Sequence, residues 1–354
     1  AQTPLRCGKK EGLLSMSVLK KDLLVPSQRQ IALLDAERIT SHLDPAGMKS
    51  AVAKGFLALA HGRAVQPPQT MVPLPDELGD FIIYGAAELD RGLIGVKVSP
   101  YLVERGRTHG DPVTAYTLLI SLENGEPVAL CDSLALTAHR TAATTSLAID
   151  HLVGSRTRNL AVIGTGPLAR LHARYELESR NWDRVSVFSP AIASDPARIK
   201  TWGHIMPIDR IKVASTLRQA IADADVVMLC TSSALPVIDV SWLSDDTVVT
   251  SISTNAFEAH EIDPATLHSF DVFCDLRATA PVQAGDMVIA ARDHGWRSDA
   301  IVADLPELVS EQRPGTREGR RYFRSTGLGI ADLAAAAFVM DEIQCKLTSE
   351  SVKG

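Results

Sequence analysis

The stretch that most constrains this chain is Gly164-Thr165-Gly166-Pro167-Leu168-Ala169, which follows directly on the apolar run Leu160-Ala161-Val162-Ile163. Alone, G-x-G-x-x-A is a weak pattern. Between an apolar strand and a helix it specifies a turn that can take a dinucleotide. Gly164 permits the tight turn, Gly166 lets the backbone approach a diphosphate, and Ala169 lets the helix pack closely on the sheet. Pro167 suits the first helical position, where its missing N–H costs nothing. The free N–H groups of the first turn and the helix dipole then favour an anion. The bland alternative is a Gly-rich turn that binds nothing, and the elements that follow argue against it.

Apolar strand-like runs at 160–163, 185–188, 226–230, 248–252 and 272–274 alternate with helical patterns at 167–178 and 216–222. Continuous apolar strands separated by helices predict a parallel sheet covered on both faces. The expected fold class is α/β, with a Rossmann-type doubly wound parallel sheet. The part before residue 159 reads differently. A short strand near Ile31 precedes a helix over 45–60, whose apolar positions include Val52, Phe56, Leu57 and Ala60. Gln66-Pro67-Pro68-Gln69 is extended by its prolines. Strands are predicted at 70–74, 81–84 and 93–99, and a hairpin at 114–122 and 127–131 around Asn124-Gly125. A helix over 134–153 is apolar on nearly every side, which predicts burial. An Ala-rich helix over 329–345 reads as a docking helix. With 354 residues, 45% of them hydrophobic, the chain has material for about two domains, each with its own core.

A net charge of −6 and a pI near 5.9 do not suit a broad surface for nucleic acid. No apolar run reaches the ~18 residues that a membrane span needs. Residues 1–21 mix Arg6, Lys9, Lys10 and Glu11 with short apolar pieces, lack the unbroken stretch of a secretory signal, and read as a leader. Cys7, Cys131, Cys230, Cys274 and Cys345 are scattered, with no Cys-x-x-Cys. The expectation is reduced thiols in a cytoplasmic protein, with neither a disulfide framework nor a metal site.

Two cations stand out. In Ile94-Gly95-Val96-Lys97-Val98-Ser99, strand alternation puts Gly95, Lys97 and Ser99 on one face and Ile94, Val96 and Val98 on the other. Lys97 then either faces water or, partly desolvated, binds a carboxylate or exchanges a proton near neutral pH. Arg140 shares a helical stripe with Leu136, Ala143 and Leu147. An unpaired buried charge is very costly, so Arg140 requires an anionic partner. That partner is either an internal Asp or Glu, or a substrate carboxylate held bidentately. His260-Glu261 reads as a loop pair, and His139 and His172 as structural histidines on helices. Val187-Phe188-Ser189-Pro190, at the end of the second strand, offers no carboxylate for a ribose 2′-hydroxyl. Ser189 can donate to a 2′-hydroxyl or a 2′-phosphate, so NAD and NADP both stay open.

At these residues the sequence resembles the ornithine cyclodeaminase/mu-crystallin superfamily, over nearly the whole chain from Ile31. The matching stretches are Val65-Gln66-Pro67-Pro68-Gln69-Thr70, Gly95-Val96-Lys97, Leu136-Thr137-Ala138-His139-Arg140-Thr141-Ala142-Ala143, Val162-Ile163-Gly164-Thr165-Gly166 and Ser325-Thr326-Gly327-Leu328-Gly329-Ile330-Ala331-Asp332-Leu333. Several motifs in the right order are more specific than any one. The resemblance implies a homodimer in which residues 1–145, completed by 325–354, form an α+β substrate and dimerisation domain. Residues 146–324 would be the dinucleotide-binding domain. It implies NAD or NADP as cofactor and a small amino or imino acid as substrate. Lys97 and Arg140 would reach that substrate, Arg140 at its α-carboxylate. Thr141 and Thr326-Gly327 would line the cleft, and Thr231 and Ser232 would lie along the dinucleotide. Two positions depart from the pattern. Relatives place an Arg where Gln69 stands, as a second carboxylate contact. Ornithine cyclodeaminases carry an Asp near Asn255, which handles the substrate's side-chain amine, and Asn255 cannot act as a carboxylate base.

The leading expectation is hydride transfer between a nicotinamide and the α-carbon of an amino acid or its cyclic or open imine, with positioning and charge stabilisation as the main levers. A cyclodeaminase that recycles its cofactor and releases ammonia is a second reading. A mu-crystallin-like protein that holds NAD(P)H without turnover is a third, favoured by the weakened clamp at Gln69.

Overall fold

The structure is a computed structural model that describes residues 31–351, apart from 206, 208, 209, 254–257 and 317. The expected leader, Cys7 and Asn255 lie outside the described residues.

β1 (Ala32–Leu34), β2 (Ala64–Val65), β3 (Thr70–Pro73), β4 (Gly79–Glu88), β5 (Leu93–Leu102), β6 (Tyr116–Ser121) and β7 (Pro127–Asp132) form one sheet. Its order is β1-β7-β6-β5-β4-β2, with β3 also paired to β4. β1 runs parallel to β7, and the other pairs are antiparallel. Alternation sorts its side chains into rows. Tyr84, Lys97, Thr117, Cys131 and Leu34 are cross-strand neighbours, all buried. The adjacent row of Gly85, Val96, Leu118, Leu130 and Leu33 points the other way, and there Leu130 is 38% and Leu33 69% exposed. The covered face thus holds the lysine among Leu34, Leu93 and Leu119, and the other face leaves Leu33 and Leu130 exposed.

The covered face is closed by helices. α1 (Pro45–Ala60) starts at Asp44, whose carboxylate accepts the Gly47 N–H at 2.6 Å, with Pro45 at the first position. It buries Met48, Val52 and Phe56. α2 (Leu134–Leu152) packs on α1, and α4 (Gly329–Ser351) lies across β4, β5 and β6 against both helices. Close approach of α1 and α4 depends on Gly55, where a Cβ would already lie 3.3 Å from Ile330.

The second sheet contains β8 (Asn159–Ile163), β9 (Arg184–Phe188), β10 (Ile211–Val213), β11 (Val226–Leu229), β12 (Val248–Ser251), β13 (Asp271–Cys274), β14 (Ile301–Asp304) and β15 (Arg321–Arg324). All its pairs are parallel, in the order β10-β9-β8-β11-β12-β15-β13-β14. α3 (Pro167–Ser179) connects β8 to β9. The order reverses between β8 and β11, the place where doubly wound sheets open a binding crevice.

The strands expected from apolar runs are all present, but β4 runs four residues past the expected end at 84 and β5 three past 99, as antiparallel partners extend their ladder. β2, β10, β14 and β15 were not expected. The sequence hides β15 because it reads Arg-Tyr-Phe-Arg, yet all four residues are buried. Its arginines are buried because their N–H groups are used: Arg321 donates to the carbonyls of Leu152 at 2.7 Å and Gly319 at 2.9 Å. Arg324 donates to the Ser325 carbonyl at 2.8 Å and pairs with Asp286. No described helix is long and apolar enough to cross a membrane. Cys131, Cys230 and Cys274 are free and buried.

Candidate active site

At the end of β8 the chain turns at Gly164, with φ +119°. A Cβ there would lie 2.2 Å from the Cys230 carbonyl oxygen, so only glycine fits between β8 and the loop after β11. At Gly166, by contrast, a Cβ would meet nothing within 4 Å. Gly166 caps α3 without a side-chain oxygen, and Pro167 takes the first helical position. Leu168 and Ala169 then sit with their first-turn N–H groups at the wall of a cleft of about 810 Å³. Gly164, Thr165, Gly166, Pro167, Leu168, Ser189, Thr231 and Ser232 all line this cleft. An open cradle of glycine and free helical N–H groups fits a diphosphate. Its described lining contains no Asp or Glu. Ser189 Oγ lies 2.9 Å from Thr165 Oγ1 and accepts the Ile192 N–H at 3.2 Å, so it bridges the glycine turn and the end of β9.

A second group of residues is buried between the first sheet, α2 and α4. Lys97 and Arg140 are 2% and 4% exposed. Both donate to one oxygen, Asp332 Oδ1: Lys97 Nζ at 2.9 Å and Arg140 Nε at 2.8 Å. Lys97 Nζ also lies 4.1 Å from the Tyr84 ring centroid, a cation–π contact, and 3.4 Å from Thr137 Oγ1. Burial draws the Lys97 ammonium down to about 8, with Arg140 adding to the effect and Asp332 opposing it. Two cations facing one carboxylate leave an excess of positive charge. Asp332 Oδ2 is buried and has no hydrogen-bond partner among the described residues. Gly327, at φ +81°, lies against the guanidinium, where a Cβ would be 3.1 Å from Arg140 Nη1.

The loop that carries Gly327 is fixed from beneath. Asp275, fully buried, accepts the N–H groups of Thr326 at 2.6 Å and Gly327 at 2.9 Å, and the hydroxyls of Thr326 at 3.1 Å and Ser325 at 3.2 Å. Burial raises its pKa while these bonds pull it down. His139 pairs with the Tyr175 hydroxyl at 3.0 Å, and His172 with the Leu168 carbonyl at 2.8 Å. Burial lowers both histidines to about 4, which suits neutral structural groups. His260-Glu261 is no ordinary loop pair. Glu261 is fully buried and bonded to the cleft wall.

The other expected residues divide. Thr141 donates its hydroxyl to the Thr137 carbonyl at 2.7 Å, and the Thr326 hydroxyl is bonded to Asp275. Neither is among the described lining of the dinucleotide cleft. Gln69 Oε1 is buried without a hydrogen-bond partner among the described residues. Asp332, Asp275 and Glu261 were absent from the expected site.

The sequence profile described as the ornithine cyclodeaminase/mu-crystallin family matches residues 29–346. The chain belongs to that family. It is 45% identical, over 303 residues, to the NAD(P)H-dependent anabolic L-arginine dehydrogenase of Pseudomonas aeruginosa, covering 85% of this chain and 93% of that one. It is 24% identical to the ketimine reductase mu-crystallin of Mus musculus, covering 89% and 98%. Among solved structures, the Delta(1)-pyrroline-2-carboxylate reductase of Thermococcus litoralis, in complex with NADH and L-proline, superposes with a TM-score of 0.81 at 23% identity, covering 88% of this chain and 97% of that one. That likeness establishes a shared fold.

Proposed function

We propose that this family member is an NAD(P)-dependent oxidoreductase that moves hydride to or from the α-carbon of an amino acid or its imine. One observation carries the reading: Lys97 and Arg140 share a single oxygen of Asp332 inside a protein that also opens a dinucleotide cleft at Gly164–Gly166. Excess buried positive charge asks for an anion, and a substrate α-carboxylate meets that demand. Arg140 is held by Asp332 through Nε, which leaves the Nη1–Nη2 edge for an end-on bidentate grip. Lys97 then stands ready to exchange a proton with the substrate nitrogen. The dinucleotide, when bound, supplies or accepts the hydride.

In the oxidative direction Lys97 takes the proton as a neutral amine, and in the reductive direction it returns it. L-Arginine and its imine are the first substrates to try, because the 45%-identical relative is an L-arginine dehydrogenase. Without a carboxylate in the described lining, either NAD or NADP is admitted. The substrate unit spans 1–145 and 325–354, and the cofactor unit 146–324. The outward apolar face of the first sheet, with Ile83, Leu130 and Leu33 exposed and Val96 and Leu118 half-buried between them, supports a homodimer. Free, buried thiols agree with a cytoplasmic setting.

The test is cofactor absorbance, followed with both dinucleotides across a panel of amino acids and cyclic imines. Turnover is expected with at least one pair, and Lys97→Ala should abolish it while dinucleotide binding persists. Intact turnover in that variant would refute the assigned roles. Tight dinucleotide binding with no turnover on the whole panel would favour the non-catalytic reading that Gln69 suggests. Ammonia release with no net absorbance change would favour a cyclodeaminase, against which Asn255 counts.

A further inference from the structure

The cleft wall after β11 and β12 is built from residues 231–233, 237 and 252–253. Both loops of this wall are tied to one side chain outside the cleft. Glu261 is fully buried. Its Oε1 accepts the N–H of Thr231 at 2.9 Å and the Thr231 hydroxyl at 2.7 Å. Its Oε2 accepts the Ser251 hydroxyl at 2.7 Å and the Ser253 N–H at 3.0 Å. Each oxygen therefore holds a different loop. The bonds continue outward, since Thr231 Oγ1 accepts the Ser233 N–H at 3.1 Å and the Glu261 carbonyl accepts the Val237 N–H at 2.8 Å.

The Ser253 backbone has φ +45°, the left-handed region that a residue with a side chain occupies at a cost. The bond to Oε2 offsets that cost. The Ser253 hydroxyl at the cleft wall has no partner among the described residues. A buried carboxylate with two N–H donors on opposite oxygens thus fixes two loops at one spacing, before any ligand arrives.

We propose that Glu261 is a positioning residue for the dinucleotide, acting through the loops at 231–233 and 252–253. This rests on the redox reading above, because it assumes that the cleft takes a dinucleotide. Glu261→Gln keeps the shape but gives one loop an NH₂ group where its backbone N–H needs an acceptor. That loop is released, since an N–H cannot reverse its role as a hydroxyl can.

The experiment measures equilibrium binding of NADH and NADPH by fluorescence, together with amide hydrogen exchange without dinucleotide. In Glu261→Gln the dissociation constant should rise at least tenfold, and exchange at Thr231, Ser233 and Ser253 should accelerate in the free protein. Under saturating dinucleotide, the KM for the amino acid or imine should stay within about threefold. A fall in Tm with unchanged dinucleotide affinity would make Glu261 purely structural and overturn the proposal. If the variant does not fold, Ser251→Ala removes one donor to Oε2 from a strand residue outside the cleft. It should raise the dissociation constant about threefold, and an unchanged constant overturns the proposal equally. Wild-type protein that binds neither dinucleotide would sink the redox reading along with this one.

Discussion

Lys97 and Arg140 meet at a single oxygen of Asp332, so each sets the field in which the other works. With Lys97 drawn down to about 8, kcat/KM for amino-acid oxidation should rise as pH climbs through that value, because the neutral amine accepts the proton. Imine reduction should show the mirror profile and fall above it. Rate measurements in both directions between pH 6 and 10 check the sign, on the order of four pH units centred on that group. Arg140→Lys keeps the charge but loses the planar edge, and KM for the carboxylate substrate should rise by about tenfold to a hundredfold at little cost to dinucleotide affinity. A different buried group bears on stability. Glu176 is buried, and burial pushes its carboxyl up to about 7. A raised carboxyl contributes stability that is complete below the ordinary carboxyl range and is lost as pH rises through about 7. Glu176→Gln should therefore gain on the wild type by about 2–3 kcal/mol at pH 8 and by nothing at pH 4, read by urea unfolding. Lys97 and Arg140 were legible in the sequence because a charge inside an apolar pattern demands an explanation. The same signal is present at Asp332, in Ile330-Ala331-Asp332-Leu333-Ala334, and pairing the two anomalies would have found the ion cluster. Glu261 and Asp275 carried no such mark, because their donors are backbone N–H groups and hydroxyls that a sequence does not place.

Among the elements, the strand–turn–helix at Gly164 joins local sequence to the cleft most tightly. Gly164→Ala would force a Cβ to within 2.2 Å of the Cys230 carbonyl at φ +119°. We expect it to lose dinucleotide binding and at least 1–3 kcal/mol, roughly the cost of a strained backbone position. Dinucleotide fluorescence titration and thermal unfolding check both effects. This element was readable because glycine spacing and strand burial report local geometry. The hairpin around Asn124-Gly125 was readable for the same reason, and Gly125 takes φ +73° there. β15 was not readable. A four-residue strand with arginine at both ends has no apolar periodicity, and what buries it is the supply of carbonyls and Asp286 from distant segments.

For the whole molecule, the outward face of the first sheet leaves Leu33, Ile83 and Leu130 exposed, an apolar surface that a second copy of the chain would cover. A dimer is expected by light scattering. Leu118→Lys, in the middle of the outward row, should shift it towards monomer and lower activity wherever the partner shapes the substrate side. A dimer that persists unchanged in this variant would place the interface elsewhere. Alternation at 94–98 foretold which residues share a face but not which face is covered, because the covering helix α4 comes from the far end of the chain.

The position of β15 has a consequence for biosynthesis. It lies between β12 and β13, although it is the last strand of its sheet to be translated. As the polypeptide leaves the ribosome, the partners at 248–251 and 271–274 wait for residues 321–324 with unsatisfied edges. The sheet therefore closes only after residues 321–324 have emerged. A message truncated shortly before that point would yield an aggregation-prone fragment with two open flanks.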